Sequence, residues 1–263
     1  MAKNKNKITL VIPVHMVNDE FKDYFTKALD SIKNQKTKIE KVLVVACECP
    51  DVKDFFENFK HDVEFDIYHH NKGKDFISQM NYITSKIKTE YFSFLEFDDE
   101  LSAIWHKVAL EYINEYPNVS VFLPIIVEAT NDTEPKFIDF SNQTLWAMNF
   151  SERLGYLDNA TLERYPNFNT SGAIFKLSDW ESIGGLKQMK LSFWLEFLYR
   201  ATHNSMEIMT IPKIMYKHTN GRTDSLFIKY RNELSKEEAK FWLDSAKTEQ
   251  YYNFDRNLKY EAN

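Results

Sequence analysis

The sequence is poor in long apolar runs, in cysteine and in clustered basic charge. No stretch approaches the roughly 18 apolar residues of a membrane-spanning helix, so no span is expected. Lys and Arg number 33 against 39 Asp and Glu, a net charge of −6. A broad basic face for nucleic acid is therefore not evident. A local patch stays open, with Lys229, Arg231, Arg256 and Lys259 as its residues. The two cysteines, Cys47 and Cys49, are separated by one residue. On a strand they point to opposite faces, so a mutual disulfide is not expected. Without a second cysteine pair a zinc site is not expected either. Two free thiols suit a reducing cytoplasm, the expected location. The start at 1–7 is basic and precedes Ile8–Ile12, which mimics a signal peptide. Pro13 and His15 interrupt that run and no small-residue cleavage site follows, so a polar tail before a first buried strand is expected.

What is present is enough for a large core. The chain has 263 residues, 43% hydrophobic and 15% aromatic, which argues against disorder. Ile8–Val14 and Lys41–Ala46 are nearly continuous apolar runs, the mark of strands covered on both faces. Glu64–His69 is a weaker strand, and Tyr91–Leu95 another. Between them, 19–34, 52–60 and 74–88 carry apolar residues at helical spacing. This β-α-β-α-β-α-β order predicts an α/β fold with a doubly wound, mostly parallel sheet. A helix over 101–116 and a strand over 119–126 follow. From 128 to 168 the pattern weakens into a polar and aromatic stretch. Beyond it come a strand at 170–175, a turn at Gly184-Gly185, a helix over 192–202, and short strands at 208–211 and 214–217. His218–Ser225 reads as a loop, and a charged helical tail starts at 226.

One stretch stands out. Tyr91–Leu95 runs into Glu96, Asp98, Asp99 and Glu100. Carboxylates packed this tightly resist ionisation unless a cation offsets them. Mg²⁺ typically takes one or two carboxylates together with substrate phosphates. In an open α/β sheet, ligands sit beyond the carboxyl ends of the strands. An acidic loop or helix start is the competing explanation.

Several ordered fragments together resemble the family 2 glycosyltransferases, which have the GT-A nucleotide-sugar-binding fold. The resemblance covers roughly 7–220. Val11-Ile12-Pro13-Val14-His15 is similar to the family's opening strand. Cys47-Glu48 stands where the family has an acidic uracil-binding residue. Asn71-Lys72-Gly73 with Asn81 resembles its Asn-x-Gly…Asn element, and Glu96-Phe97-Asp98-Asp99 its metal motif. Ser171–Phe175 and Ile183–Leu186 resemble the acceptor-side strand and turn. The resemblance implies a transferase domain over 1–225, with a nucleotide-sugar half near 7–100, an acceptor half near 101–225 and a helical tail over 226–263. It implies Pro13, Val14, His15, Glu48, Asn71, Lys72, Gly73, Asn81 and Glu96 for the nucleotide-sugar. For Mn²⁺ or Mg²⁺ it implies Asp98 foremost, then Asp99 and His218. Gly172 and Trp194 fall on the acceptor side, and Lys72 and Lys74 are in position to meet phosphate. The implied reaction moves a sugar from a nucleotide-diphosphate sugar, with UDP expected, to an acceptor hydroxyl.

The departures are specific. Glu stands for Asp at 48 and 96. Counting back from Arg200, the family's catalytic base falls on Trp194, and Glu196 is the nearest carboxylate, about 200° further round the helix. Glu196 is the candidate base, with a pairing to Arg200 as its alternative. A loop without glycine at 15–19 counts against a nucleotidyltransferase, and the βαβ order against a glycosidase. A binding protein that has lost catalysis remains a rival, supported by Trp194. Glycan, lipid-linked glycan, protein and nucleic-acid base all stay open as acceptors, as do stereochemistry and oligomeric state.

Overall fold

A computed structural model describes residues 7–70, 75–132, 134–143, 155–165, 168–222, 225–252 and 258–261. Asn71, Lys72, Gly73, Lys74, Trp146 and Arg256 lie outside the described residues.

The strand β1 (Ile8–Val14) is buried along its whole length. Leu10, Ile12 and Val14 enter one core, and Val11 enters the other. In β2 (Lys41–Cys47), Val42, Val44 and Ala46 take the first face and Leu43 and Val45 the second. Successive side chains alternate across a strand, so a sheet covered on both sides needs apolar residues at both parities. The first core holds α1 (Phe21–Lys33), α2 (Pro50–Asn58) and α4 (Trp105–Glu115). The second holds α3 (Phe76–Thr84), α6 (Leu177–Ser182) and α7 (Phe193–His203). In α1, Phe21, Phe25, Ala28, Leu29 and Ile32 are buried at helical spacing. Each fully buried large side chain of this kind contributes about 1.5–3 kcal/mol.

Among the described residues ten strands form one sheet. Its main path is β3 (Asp66–His70), β2, β1, β4 (Tyr91–Phe94), β9 (Ile174–Lys176), β6 (Val119–Thr130), β10 (Glu207–Asn220) and β5 (Glu100–Leu101). β3, β2, β1 and β4 are parallel neighbours, as expected. β9 runs antiparallel to both β4 and β6, and β10 runs parallel to β6. The carboxyl ends of β1, β2, β4, β6 and β10 therefore lie along one edge, where ligands of open α/β sheets bind.

Three parts of the chain depart from the expectations. The 128–168 stretch carries β7 (Phe137–Ser141) on β6, β8 (Tyr156–Leu157) on β10, and α5 (Asn159–Arg164). The two strands expected over 208–217 are one strand reaching Asn220, with register shifts near Ile211 and Ile214. Cys47 and Cys49 are joined as a disulfide, with Cα atoms 5.4 Å apart, against the expectation of free thiols. β2 ends at Cys47, so the alternation of a strand does not extend to Cys49, the residue before α2. With the thiols paired, they no longer argue for a reducing compartment. No helix of the described residues is long and apolar enough to cross a membrane.

The tail folds onto the second core as α8 (Leu226–Glu233) and α9 (Lys236–Glu249), with Trp242 and Ala246 buried in it. Trp242→Ala is expected to cost about 3–5 kcal/mol, measured by chemical denaturation. An unchanged midpoint would mean that the tail adds nothing to the core.

Candidate active site

Asp99 is fully buried, so its carboxylate must be satisfied from within. The Tyr216 hydroxyl donates to Oδ2 at 2.8 Å and the Thr219 amide to Oδ1 at 2.8 Å. The same tyrosine oxygen accepts from the Glu96 amide at 3.1 Å. These bonds fasten the loop after β4 to the end of β10. His218, one residue before Thr219, is then carried towards Glu96 and Asp99. Ligand atoms of Glu96, Asp99 and His218 all lie within 4.8 Å of one another. Glu96 also accepts from the Ser171 hydroxyl at 3.0 Å.

β6 and β10 place Glu128 directly beside His218 in register. The imidazole Nδ1 lies 2.6 Å from Glu128 Oε2, which also accepts from the Asn220 side chain at 2.6 Å. Burial alone would lower the His218 pKa, but Asp99, the bond to Glu128 and Glu96 together raise it to about 10. Burial pushes Glu128 up, yet its bonds from His218, Ser141 and Asn169 bring it down to about 2. Glu96 and Asp99 move the other way. Desolvation raises both, the charge of Asp98 adds to it, and the opposing pull of His218 does not cancel the effect.

Two buried carboxyls that resist ionisation beside an imidazole are short of positive charge. An oxygen-rich set with one histidine suits a hard or borderline divalent ion such as Mg²⁺ or Mn²⁺. With Nδ1 engaged by Glu128, Nε2 is the imidazole atom left to a metal, which would have to displace its proton. Asp98, expected as the foremost ligand, is instead paired with Arg222, whose Nη1 lies 2.6 Å from Oδ2.

These groups open onto a cleft of about 390 Å³, within the range of small-molecule sites. Glu96, Asp98, His218 and Arg222 supply its charged wall, and Phe168, Trp194 and Phe227 its aromatic one. Beside it, Pro13 and His15 line a narrow pocket with Glu96, Asp98 and Arg222.

The profile of glycosyl transferase family 2 matches residues 9–175, well over half of the chain. The chain belongs to this family. Solved structures of similar fold include the 1–349 portion of Staphylococcus aureus TarS with UDP-GlcNAc. It is 15% identical with a TM-score of 0.62, over 93% of this chain and 71% of that one. The same portion with UDP is 17% identical with a TM-score of 0.59, over 93% and 70%. The longer TarS structure is 14% identical with a TM-score of 0.58, over 95% of this chain and 44% of that one. No curated protein matches the chain by sequence.

Within this family 2 glycosyltransferase, four expected site residues are engaged in contacts within the fold. Glu196 is fully buried and held by both carboxylate oxygens on Arg200, at 2.7 and 2.9 Å, with Lys187 at 3.4 Å. A carboxylate tied this way is not presented to an acceptor hydroxyl, and the arrangement seen is the alternative to a base, the pairing with Arg200. Lys187 also lies 3.7 Å from Glu249 and donates to the Glu249 and Tyr252 carbonyls, tying the end of α9 to the same network. Asn81 clamps the backbone of Leu186, donating to its carbonyl at 2.7 Å and accepting from its amide at 3.0 Å. These bonds hold α3 against the Gly185 turn. The Val14 side chain belongs to the core, and its carbonyl accepts from Gln79 at 2.8 Å. Gly172 lies beneath the Tyr216 ring with φ +67°, and its carbonyl accepts from the Trp105 indole at 3.0 Å. Its neighbours Thr170 and Ser171, not Gly172, line the cleft.

Trp194 does line the cleft, seated on Phe94 at 5.4 Å and Phe175 at 5.5 Å between ring centroids. Glu48 is exposed and paired with Lys53 at 2.9 Å. Of the basic residues named above, Arg231 lines the cleft and Lys259 lines a separate cavity, so these two do not converge. Sequence reasoning missed Tyr216 and Glu128, and had Arg222 only as a residue of the loop after His218, not as the partner of Asp98. The alternation Tyr216, His218, Asn220 is a period-two signal that marks three side chains on one face of a strand.

Glu196→Gln is expected to destabilise by about 3–5 kcal/mol, because it leaves Arg200 and Lys187 buried without their shared anion. A catalytic base would show the reverse, normal stability with turnover lost. Gly172→Ala places a methyl group against the Tyr216 ring at a left-handed φ. It is expected to cost about 1–3 kcal/mol by overpacking and to disturb Asp99 through Tyr216, both readable by thermal denaturation.

Proposed function

We propose that the chain transfers a sugar from a UDP-sugar, bound with Mn²⁺ or Mg²⁺, to an acceptor hydroxyl. The observation that carries this reading is the meeting of Glu96, Asp99 and His218 at the carboxyl ends of the sheet. A divalent cation held there would offset the charge that builds on the departing diphosphate. The chain's own residues act around that point. Arg222 lines the cleft and offers a planar guanidinium suited to phosphate oxygens. Ser171 orients Glu96, Glu128 orients His218, and Tyr216 orients Asp99. Pro13 and His15 line the pocket beside them and would take part of the nucleotide, with Glu48 at the end of β2 as the base contact. The donor half then spans about 7–100, and the acceptor half, 101–225, supplies Trp194 as a flat apolar floor for a sugar ring. Related structures hold UDP-GlcNAc and UDP, so a hexosyl donor such as UDP-GlcNAc is the first to try.

A second reading is a nucleotide-sugar-binding protein of the same fold without turnover. Trp194 at the expected base position and the burial of Glu196 favour it. Donor hydrolysis or transfer separates the two, since a binding protein shows UDP-sugar binding and no release of UDP.

The decisive measurement is thermal stabilisation by UDP-, GDP-, CMP- and dTDP-sugars with Mg²⁺, Mn²⁺ or chelator. A UDP-sugar at a hundredfold excess over Kd should stabilise by about 2.7 kcal/mol. Asp99→Asn should remove the cation-dependent part. If no nucleotide-sugar stabilises the chain under any condition, the proposal fails.

A further inference from the structure

Arg222 occupies a built seat. It is buried, and its guanidinium lies 4.6 Å from the centroid of Phe97 and 5.1 Å from that of Tyr24. Such stacking holds a cation more strongly where water is excluded. Tyr24 is itself held, donating from its hydroxyl to Asn131 at 2.6 Å. From this seat Arg222 binds Asp98 at 2.6 Å, with both side chains largely withdrawn from solvent. Asp98 sits between Glu96 and Asp99 in the chain, and its charge acts on both. Its carboxylate is nevertheless outside the set of Glu96, Asp99 and His218 whose ligand atoms converge.

We propose that Arg222 competes with the divalent cation for Asp98, so that the cation binds weakly until a nucleotide diphosphate draws the guanidinium away. This rests on the donor-site reading above. A cation on Glu96, Asp99 and His218 attracts the adjacent Asp98, but Asp98 can turn to it only by giving up a buried ion pair, which is costly to break. A diphosphate offers Arg222 a replacement with two oxygens in the right geometry. The chain also has a pivot for this exchange. Arg222 follows Gly221, which has φ +95° and open space where a Cβ would stand. Rotation there moves Arg222 without disturbing a packed side chain at 221, while Thr219 and Asn220 stay bonded to Asp99 and Glu128. The coupling is reciprocal, so cation and nucleotide must tighten one another by the same factor.

The test is Mn²⁺ affinity, followed by calorimetry or by the spin-resonance signal of free Mn²⁺, with and without UDP. Arg222→Gln is expected to bind Mn²⁺ alone about tenfold more tightly than the natural chain, within the usual span of coupling energies, and to gain correspondingly less from UDP. Tyr24→Leu changes no charge and loosens only the seat. It is expected to tighten Mn²⁺ binding about two- to threefold, the loss of part of a cation–π contact. This second variant also decides the matter should Arg222→Gln fail to fold. Folded variants that bind Mn²⁺ alone no more tightly than the natural chain overturn the inference, whatever their response to UDP. If the natural chain binds neither Mn²⁺ nor any nucleotide, the donor-site reading itself falls and takes the inference with it.

Discussion

The buried carboxylate of Asp99 is the constraint on which the site depends. A charge-bearing group with no exposure to water has to find its partners in the fold. Asp99 finds them in the Tyr216 hydroxyl and the Thr219 amide. Those two bonds bring the loop after β4 against the end of β10, elements more than a hundred residues apart in sequence. Other features follow from it. The Tyr216 ring needs space, and Gly172 beneath it leaves that space. The Gly172 carbonyl is then satisfied by Trp105 at the start of α4. The parallel register of β6 and β10 sets Glu128 against His218, so the histidine arrives at Glu96 and Asp99 already oriented.

Charge balance decides what such a site can do. Glu96 and Asp99 are desolvated and resist ionisation, His218 is shared with Glu128, and Arg222 is engaged by Asp98. Ionised together, Glu96, Asp98, Asp99 and Glu128 would outnumber the two cations facing them, and a divalent ion would supply the missing charge. Family membership supplies the reaction class, and the site supplies a physical reason for placing a donor diphosphate there. The buried set of Lys187, Glu196, Arg200 and Glu249 also carries charge, but it is closed upon itself. It joins α7 to the end of α9 and so makes the tail part of the second core.

The first half of the fold was legible because its strands are covered on both faces. Continuous apolar runs at Ile8–Val14 and Lys41–Ala46 leave little alternative to a buried parallel sheet. The 128–168 stretch was not, because β7 and β8 are short, antiparallel and defined by their neighbours. The strand expected at 170–175 lies at Ile174–Lys176, but its antiparallel place between β4 and β6 was not legible. Glu196 shows the same limit at the level of one side chain. Its spacing to Arg200 permits a helical ion pair, but only the packing of Lys187 on the other side turns it from a candidate base into a buried anchor. Asn81 likewise has the right place in an ordered motif, and its amide is taken up by Leu186.

The sequence by itself determined the α/β class, the family resemblance and the acidic stretch after β4, because these rest on local periodicity and on residues adjacent in the chain. Only the tertiary structure decided which carboxylates converge. Glu96 and Asp99 meet His218, while Asp98 turns to Arg222, because long-range strand pairing brings the end of β10 across that stretch. A carboxylate takes its role from the partner that reaches it, and these partners lie far along the chain.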